Sequence, residues 1–170
     1  MGKSVKDLFE QYRHDNQEGD LVFADTELDL RNKDLDSLDG LEWFPDLNDL
    51  DCRNNNLINL DGIENCKKLE RILLSNNKLQ SLKGLEKLKE VWNLHVNNNN
   101  LNDFEGIEDL KNLSGSHTNF TDNPCSGRYI GLNIVQLREK VRIEKHLKPD
   151  DDRRGEASIS DTGLFDFKGL

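Results

Sequence analysis

The chain has 170 residues, of which 34% are hydrophobic and 33% charged, and its formal net charge is −10 at pH 7. This length predicts a single domain, and no run of apolar residues approaches the roughly 20 that a membrane-spanning helix needs. The three cysteines and the charged N-terminus favour a reduced protein without a secretory signal or a disulfide framework. We therefore expect a cytoplasmic or nuclear location.

The first predicted element is a helix that begins directly after Ser4. The stretch SVKDLFEQYRH opens with a helix-capping serine and carries apolar side chains at helical spacing, namely Val5, Leu8, Phe9 and Tyr12. A stack of repeats exposes its core at each end. Since repeats follow this stretch, we expect residues 1–22 to form an N-terminal helical cap.

Four copies of a 22-residue unit follow, beginning at Asp25, Leu47, Leu69 and Val91. Apolar residues recur at places four, six, eleven and fourteen of each copy, and glycine recurs at place sixteen. The alternation at places four and six predicts a short strand, and the later spacing of three predicts tight helical turns. Agreement at so many places indicates a structural repeat rather than low-complexity sequence.

Asparagine occupies place nine in three copies, as Asn55, Asn77 and Asn99, whereas the first copy has Lys33. A short amide tolerates left-handed backbone geometry and hydrogen-bonds backbone groups that a buried turn leaves unpaired. We expect these asparagines to turn the chain inward, and Lys33 to give a looser edge. The residues at place eight are expected to be surface amides: Asn54, Asn76 and Asn98.

The pattern LxxLxLxxNxLxxLxGLxxL resembles the leucine-rich repeat family, specifically the 22-residue class known from a protein phosphatase regulator and a spliceosomal scaffold protein. The resemblance covers residues 25–113. It implies an α/β solenoid with a short curved parallel sheet of about five strands. The same resemblance implies helical or 3-10 turns on the convex side and helical caps at both ends.

The fifth copy is irregular, because it reaches its asparagine, Asn123, two residues late. We assign the repeats to residues 23–123 and a C-terminal helical cap to residues 124–148. The apolar face of this cap is expected to cover the last strand with four residues: Ile130, Ile134, Leu137 and Val141.

Residues 149–170 form a predicted tail of different composition. The tail is either disordered or docks on the repeats or in a partner through Leu164, Phe165 and Phe167.

The cysteines divide into two groups. Cys52 and Cys66 fall on core places of one repeat, whereas Cys125 follows Pro124 in a predicted loop. Because a buried thiol is inert, we expect only Cys125 to react readily in the native protein.

Catalytic chemistry finds little support in this sequence. No glycine-rich phosphate loop, zinc-spaced cysteine set or G-x-S-x-G elbow is present. His95 and His117 both fall at place five of consecutive repeats, where adjacent histidines could bind a metal or sense pH. The two-residue insertion could break this register, and ordinary polar surface is the favoured interpretation. We expect no enzyme activity, no cofactor and no metal.

The solvent side of the sheet is the candidate binding surface. Place three holds Glu27, Asp49 and Arg71; place five holds Asp29, Asp51, Leu73 and His95; place seven holds Arg31 and Arg53. Trp92, at place two, and Leu73 are apolar where burial gives no reason for it, which indicates surface kept for another molecule. The alternative for Trp92 is that its ring folds sideways over neighbouring side chains, such as Arg71 or the insertion near Phe120. With His95 and His117 they form the predicted partner-binding patch.

Residues 1–50 contain 14 acidic and five basic side chains, a balance of −9, whereas the predicted C-terminal cap is basic. Fields of this kind steer association.

We expect a non-catalytic protein-binding module, monomeric alone, that acts as an adaptor or regulatory subunit in a larger assembly. The alternative is an acidic inhibitor, of viral or plasmid origin, that occupies a basic nucleic-acid-binding surface of its target. Direct nucleic-acid binding is not expected at a pI near 4.9.

Overall fold

The computed structural model describes residues 2–15, 23–24 and 26–147. The predicted tail, with Leu164, Phe165 and Phe167, lies outside these residues, and so does the side chain of Tyr12. No helix in the described ranges is both long and apolar enough to cross a membrane.

Short strands and 3-10 helices alternate along the chain. In order, the strands are β1 (Lys3–Ser4), β2 (Phe23–Ala24), β3 (Glu27–Asp29), β4 (Leu35–Ser37), β5 (Asp49–Asp51), β6 (Arg71–Leu73), β7 (Asn93–His95) and β8 (Thr118–Asn119). The 3-10 helices are Leu41–Trp43, Ile63–Asn65, Leu85–Lys87, Gly115–His117 and Ser126–Tyr129. The two α-helices are α1 (Val5–Asp15) and α2 (Ile134–Leu147).

Five strands form the predicted parallel sheet, in the order β3-β5-β6-β7-β8. From β3 to β7 the register advances by 22 residues per strand, so that Leu50 lies beside Leu28 and Ile72 beside Leu50. The strand β2 adds an antiparallel edge next to β3. A second, two-stranded sheet joins β1 to β4. The predicted solenoid is confirmed, with the antiparallel edge strand as an addition.

The place-nine asparagines satisfy the backbone of two neighbouring repeats, as the sequence predicted. Asn77 Nδ2 donates to the carbonyl of Cys52 (2.9 Å) in the preceding repeat and to that of Leu74 (3.0 Å) in its own repeat. Its Oδ1 accepts from the amide of Leu57 (3.1 Å). Each buried asparagine therefore fixes two successive repeats to each other.

The left-handed residue of each turn is at place eight and not at place nine, which corrects the prediction. Positive φ angles near 60° occur at Asn32, Asn54, Asn76 and Asn98. Asparagine is the residue other than glycine that best tolerates this region, so its recurrence at place eight has a backbone cause. The first turn is also closed, because Asn55 Oδ1 accepts from the amide of Lys33 (3.0 Å).

A glycine-x-glutamate turn recurs in each of the four repeats, and in the first three its glycine caps the 3-10 helix that follows. Gly106 has φ +113°, and a Cβ there would lie 2.5 Å from the carbonyl oxygen of Leu82, so that glycine is required. Its amide donates to Glu108 Oε2 (2.7 Å). The same bond joins Gly62 to Glu64 at 3.0 Å. This glutamate recurs at 22-residue spacing, although the repeat pattern predicted from the sequence did not include it.

The core lies between the sheet and the 3-10 helices and is lined by the predicted apolar places. Cys52 and Cys66 are fully buried there, as expected. Cys125 is 2% exposed, so the prediction of a reactive loop thiol was wrong. Its amide bonds to the carbonyl of Leu101 (3.1 Å), 24 residues earlier. With the two-residue insertion counted, Cys125 therefore occupies place eleven, which is a core place.

The helix α1 covers the first repeat. Ser4 Oγ accepts from the amide of Asp7 (3.0 Å) and the Asp7 carboxylate accepts from the amide of Ser4 (2.9 Å), a reciprocal N-terminal cap. Val5 and Leu8 are buried. The ring of Phe9 packs 5.0 Å from that of Phe44 between centroids.

The helix α2 covers the last repeat with Leu137 and Val141, which are buried as predicted. Ile130 is 83% exposed, so it does not belong to the covering face. The preceding turn supplies Tyr129 instead, whose ring lies 5.0 Å from that of Phe104.

Candidate functional site

The concave face is the side of the sheet that points away from the core, formed by places three, five and seven. In β5 the central Leu50 is buried, whereas Asp49 and Asp51 are partly exposed. This alternation places every strand-centre leucine inward and leaves the neighbouring side chains available to another molecule.

Aspartate and arginine pair within each of the first two repeats. Arg31 Nε lies 2.9 Å from Asp29 Oδ1, and Arg53 Nε lies 2.9 Å from Asp51 Oδ1. In both pairs Nη2 reaches the second carboxylate oxygen, so that the contact is bidentate. The pairing follows from the strand, because residues two apart share a face. The hydrogen bond from Arg31 holds the pKa of Asp29 below its ordinary value.

Contacts between strands join these pairs into one charged cluster. Arg71 Nη1 lies 3.1 Å from Asp49 Oδ1 on the neighbouring strand, and Arg31 Nε lies 3.6 Å from Asp51 Oδ2. These side chains and Glu27 line a concavity of about 280 Å³. The structure thus brings together seven residues of the predicted site: Glu27, Asp29, Arg31, Asp49, Asp51, Arg53 and Arg71.

Leu73 does not form the exposed apolar surface that the sequence predicted. It is 4% exposed, although it lies in β6 on the concave side, between Asp51 and His95 in register. Neighbouring side chains therefore cover it, and its contribution is to packing across the face.

The two predicted histidines do not lie side by side. The register places Asn119, and not His117, opposite His95, because the two-residue insertion precedes β8. His117 ends a 3-10 helix, and its Nδ1 lies 2.9 Å from Ser116 Oγ. Burial, followed by the positive charges of Arg53 and Arg71, lowers the pKa of His95. Among the described residues, no group of three His, Cys, Asp or Glu side chains is placed to hold a metal.

Trp92 lies at the side of the concave face and is half-buried. Its ring packs edge-on against the His117 ring, with 5.1 Å between centroids. Its Nε1 lies 3.4 Å from Glu70 Oε2. The indole is therefore held sideways against the insertion, with part of its surface open to solvent.

Solved structures provide the comparison for this geometry. An internalin from Listeria monocytogenes superposes with a TM-score of 0.54 at 22% sequence identity, over 56% of this chain and 28% of that one. The fold is a leucine-rich repeat solenoid. The leucine-rich repeat ectodomain of the receptor kinase SOBIR1 from Arabidopsis thaliana matches with a TM-score of 0.42 at 30% identity, over 49% of this chain and 48% of that one.

The chain spans less than half the length of either leucine-rich repeat structure. No protein-family model matches the sequence, and no curated protein matches it.

The sequence did not predict that the place-eight asparagines of the leucine-rich repeats are hydrogen-bonded to one another. Asn76 Nδ2 donates to Asn54 Oδ1 (2.7 Å), and Asn98 Nδ2 donates to Asn76 Oδ1 (2.6 Å). These exposed place-eight amides form a ladder along the ends of the strands. The signal in the sequence was the same residue at one place in successive repeats.

Proposed function

We propose that this protein is a non-catalytic protein-binding module that recognises its partner through the concave face. The observation that supports this most is the charged cluster around the concavity. Its side chains contribute nothing to the apolar core, yet bidentate pairs such as Asp29 with Arg31 hold them in fixed positions. A surface ordered before binding loses less side-chain entropy when a partner docks.

The size of the face favours a role inside a larger assembly. Five strands at about 4.8 Å, with about five residues each at about 3.3 Å, give a face of roughly 400 Å². A standard interface uses about 800 Å² per partner. We therefore propose an adaptor or regulatory subunit whose caps, loops or tail add contacts, with the half-buried Trp92 at the side of the site.

The 22-residue advance of the register from β3 to β7 supports assignment to the 22-residue class of leucine-rich repeats. We also retain the predicted division into caps at 1–22 and 124–148 around repeats at 23–123.

Site-specific photocrosslinking tests the proposed surface. A photoreactive amino acid replaces either His95, on β7 of the concave face, or Lys83, which is exposed on the convex side. In cells or extracts of the source organism, we expect one discrete crosslinked protein from position 95 and not from position 83. Crosslinks of equal yield from both positions, or from position 83 alone, would count against the concave face.

An acidic inhibitor of a basic nucleic-acid-binding surface is the second candidate. It is favoured by the balance of −9 in residues 1–50. Such a complex should weaken steeply with ionic strength, because exposed charges are screened within about 8 Å at 0.15 M salt. The test is the dissociation constant of the uncrosslinked complex with the partner that crosslinking identifies. If this constant changes little between low and high salt, the result contradicts this candidate and favours the adaptor.

A further inference from the structure

The charged concavity has one carboxylate more than it has cations. Each aspartate pairs with one arginine: Asp29 with Arg31, Asp51 with Arg53, and Asp49 with Arg71. Glu27 has no such pair within the described part of the chain. With four carboxylates and three guanidinium groups, the lining has a net charge of −1.

The unpaired charge has a defined position. Glu27 lies directly opposite Asp49 in the parallel ladder of β3 and β5. Like charges opposite each other on neighbouring strands are destabilising. Arg71 engages Asp49 through Oδ1, and no described residue donates to Asp49 Oδ2. A cation between Glu27 and Asp49 would relieve this repulsion.

The aspartate–arginine pairs disfavour an anion at the same place. Arg31 and Arg53 each direct Nε and Nη2 at their own carboxylate, and each aspartate also accepts from the backbone amide of its arginine. At Arg31 and Arg53, an anion would have to compete with carboxylates that are already bidentate. A cation can use acceptors that are free.

The volume indicates what kind of cation fits. About 280 Å³ is below the usual range of roughly 300–1,000 Å³ for sites of drug-sized ligands. It is also far more than the share of about 30 Å³ that one water molecule occupies. One long side chain fits between these limits. A guanidinium matches carboxylates better than an ammonium because its planar fork bonds two oxygens at once.

We propose that the concavity binds one arginine side chain of the partner protein, with its guanidinium between Glu27 and Asp49. This inference rests on the proposed role of the concave face in protein binding. It adds the chemistry of the residue that the partner must insert.

A nuclear magnetic resonance titration of the full chain tests this proposal. The probe is N-acetyl-arginine methylamide, and its comparison compounds are the neutral citrulline analogue and the lysine analogue. We expect the arginine probe to shift the backbone amide signals of Asp29 and Asp51 in a saturable way. Binding should be at least about tenfold stronger than that of either comparison compound, which corresponds to about 1.4 kcal/mol.

A double variant provides the second arm. Glu27→Gln combined with Asp49→Asn should weaken binding of the arginine probe by at least about tenfold. The matched control, Glu90→Gln, alters an exposed glutamate outside the concavity and should leave binding unchanged. Equal binding of the citrulline or lysine analogue, no saturable shift, or an unaffected double variant would overturn the proposal. None of these results alters the crosslinking pattern from position 95, which tests the proposed function separately.

Discussion

Lys145 Nζ lies 2.6 Å from Glu108 Oε1, and this ion pair connects α2 to the fourth repeat. Glu108 is 3% exposed, and its other carboxylate oxygen accepts the amide hydrogen of Gly106. The backbone carbonyl of Glu108 accepts from Arg142 Nη2 (3.1 Å). The basic residues of α2 therefore serve first to hold the helix on the repeats.

Substituting Lys145 by methionine should destabilise the protein in a pH-dependent way. Burial acts to raise the pKa of Glu108, but the hydrogen bonds from Lys145 and Gly106 outweigh it and hold this pKa below its ordinary value. Glu108 therefore contributes stability above its unfolded pKa of about 4.3, and this contribution is lost as pH falls through the lower folded pKa. At pH 7, Lys145→Met should cost about 2 kcal/mol, because it leaves a buried carboxylate without its charged partner.

Urea unfolding at pH 7 and at pH 3 measures this effect. The difference between the natural protein and Lys145→Met should become smaller as the pH falls from 7 to 3, because protonation of Glu108 removes its need for the ammonium group. Lys83→Met removes an exposed lysine and serves as the control, with an expected change below about 0.5 kcal/mol. An equal loss for Lys145→Met at both pH values would show that Glu108 is not the cause.

Asn77→Ala should destabilise the protein by about 3 kcal/mol, since it leaves several buried backbone groups without a partner. These groups are the carbonyls of Cys52 and Leu74 and the amide of Leu57. Asn100→Ala removes an exposed amide at place ten of the next repeat and should change stability by less than about 0.5 kcal/mol. Chemical denaturation of both variants gives the comparison, and similar values would refute the proposed role of Asn77.

The sequence predicted the repeat period and the core because both depend on local regularity. Leucine-like residues at fixed places specify which side chains point inward, and Leu50 and Ile72 were assigned correctly for that reason. The fifth repeat was less predictable, because the sequence alone did not show where the two extra residues lie. Because these residues lie before β8, His117 is not opposite His95 in the sheet, and Cys125 occupies a core place.

Contacts of the concave face were predictable only in part. The alternation of the strand placed Asp29 and Arg31 on one side, and their pairing follows from that. The cover over Leu73 and the sideways position of Trp92 depend on the lengths and rotamers of residues in other repeats. The place of a residue within the repeat does not specify the lengths and rotamers of its neighbours in other repeats.

Asn76→Gly should be more stable than Asn76→Ala by about 1 kcal/mol. Asn76 has φ +60°, where a Cβ is costly and glycine is not. Both substitutions remove the same side-chain hydrogen bonds, so that the difference isolates the backbone term. At Asn100, which is not among the residues of positive φ, the order should reverse. Thermal denaturation of the four variants tests this, and alanine at 76 as stable as glycine would contradict the left-handed assignment.

None of the three cysteines should react quickly with a thiol reagent in the native protein. Burial raises the pKa of the Cys66 thiol to about 11. Burial is also the main reason that the pKa of the Cys125 thiol is raised to about 11. Burial also raises the pKa of Cys52. Since the thiolate is the reactive species, labelling at pH 8 should be slow until denaturant is added, when all three thiols should react. Rapid native labelling of Cys125 would show that the fifth repeat is not closed as described.

Blocking the concave face by chemical modification tests the central claim most directly. Because the natural thiols are buried, a cysteine introduced at Asn97 on the concave face or at Lys87 on the convex side can be modified selectively with a polyethylene glycol maleimide. The partner is the protein identified by crosslinking, and its dissociation constant from each uncrosslinked variant is measured before and after modification. Modification at position 97 should weaken binding by at least about tenfold, or about 1.4 kcal/mol, and modification at position 87 by less than about twofold. Unchanged binding after modification at 97, or an equal loss at 87, would contradict recognition through the concave face.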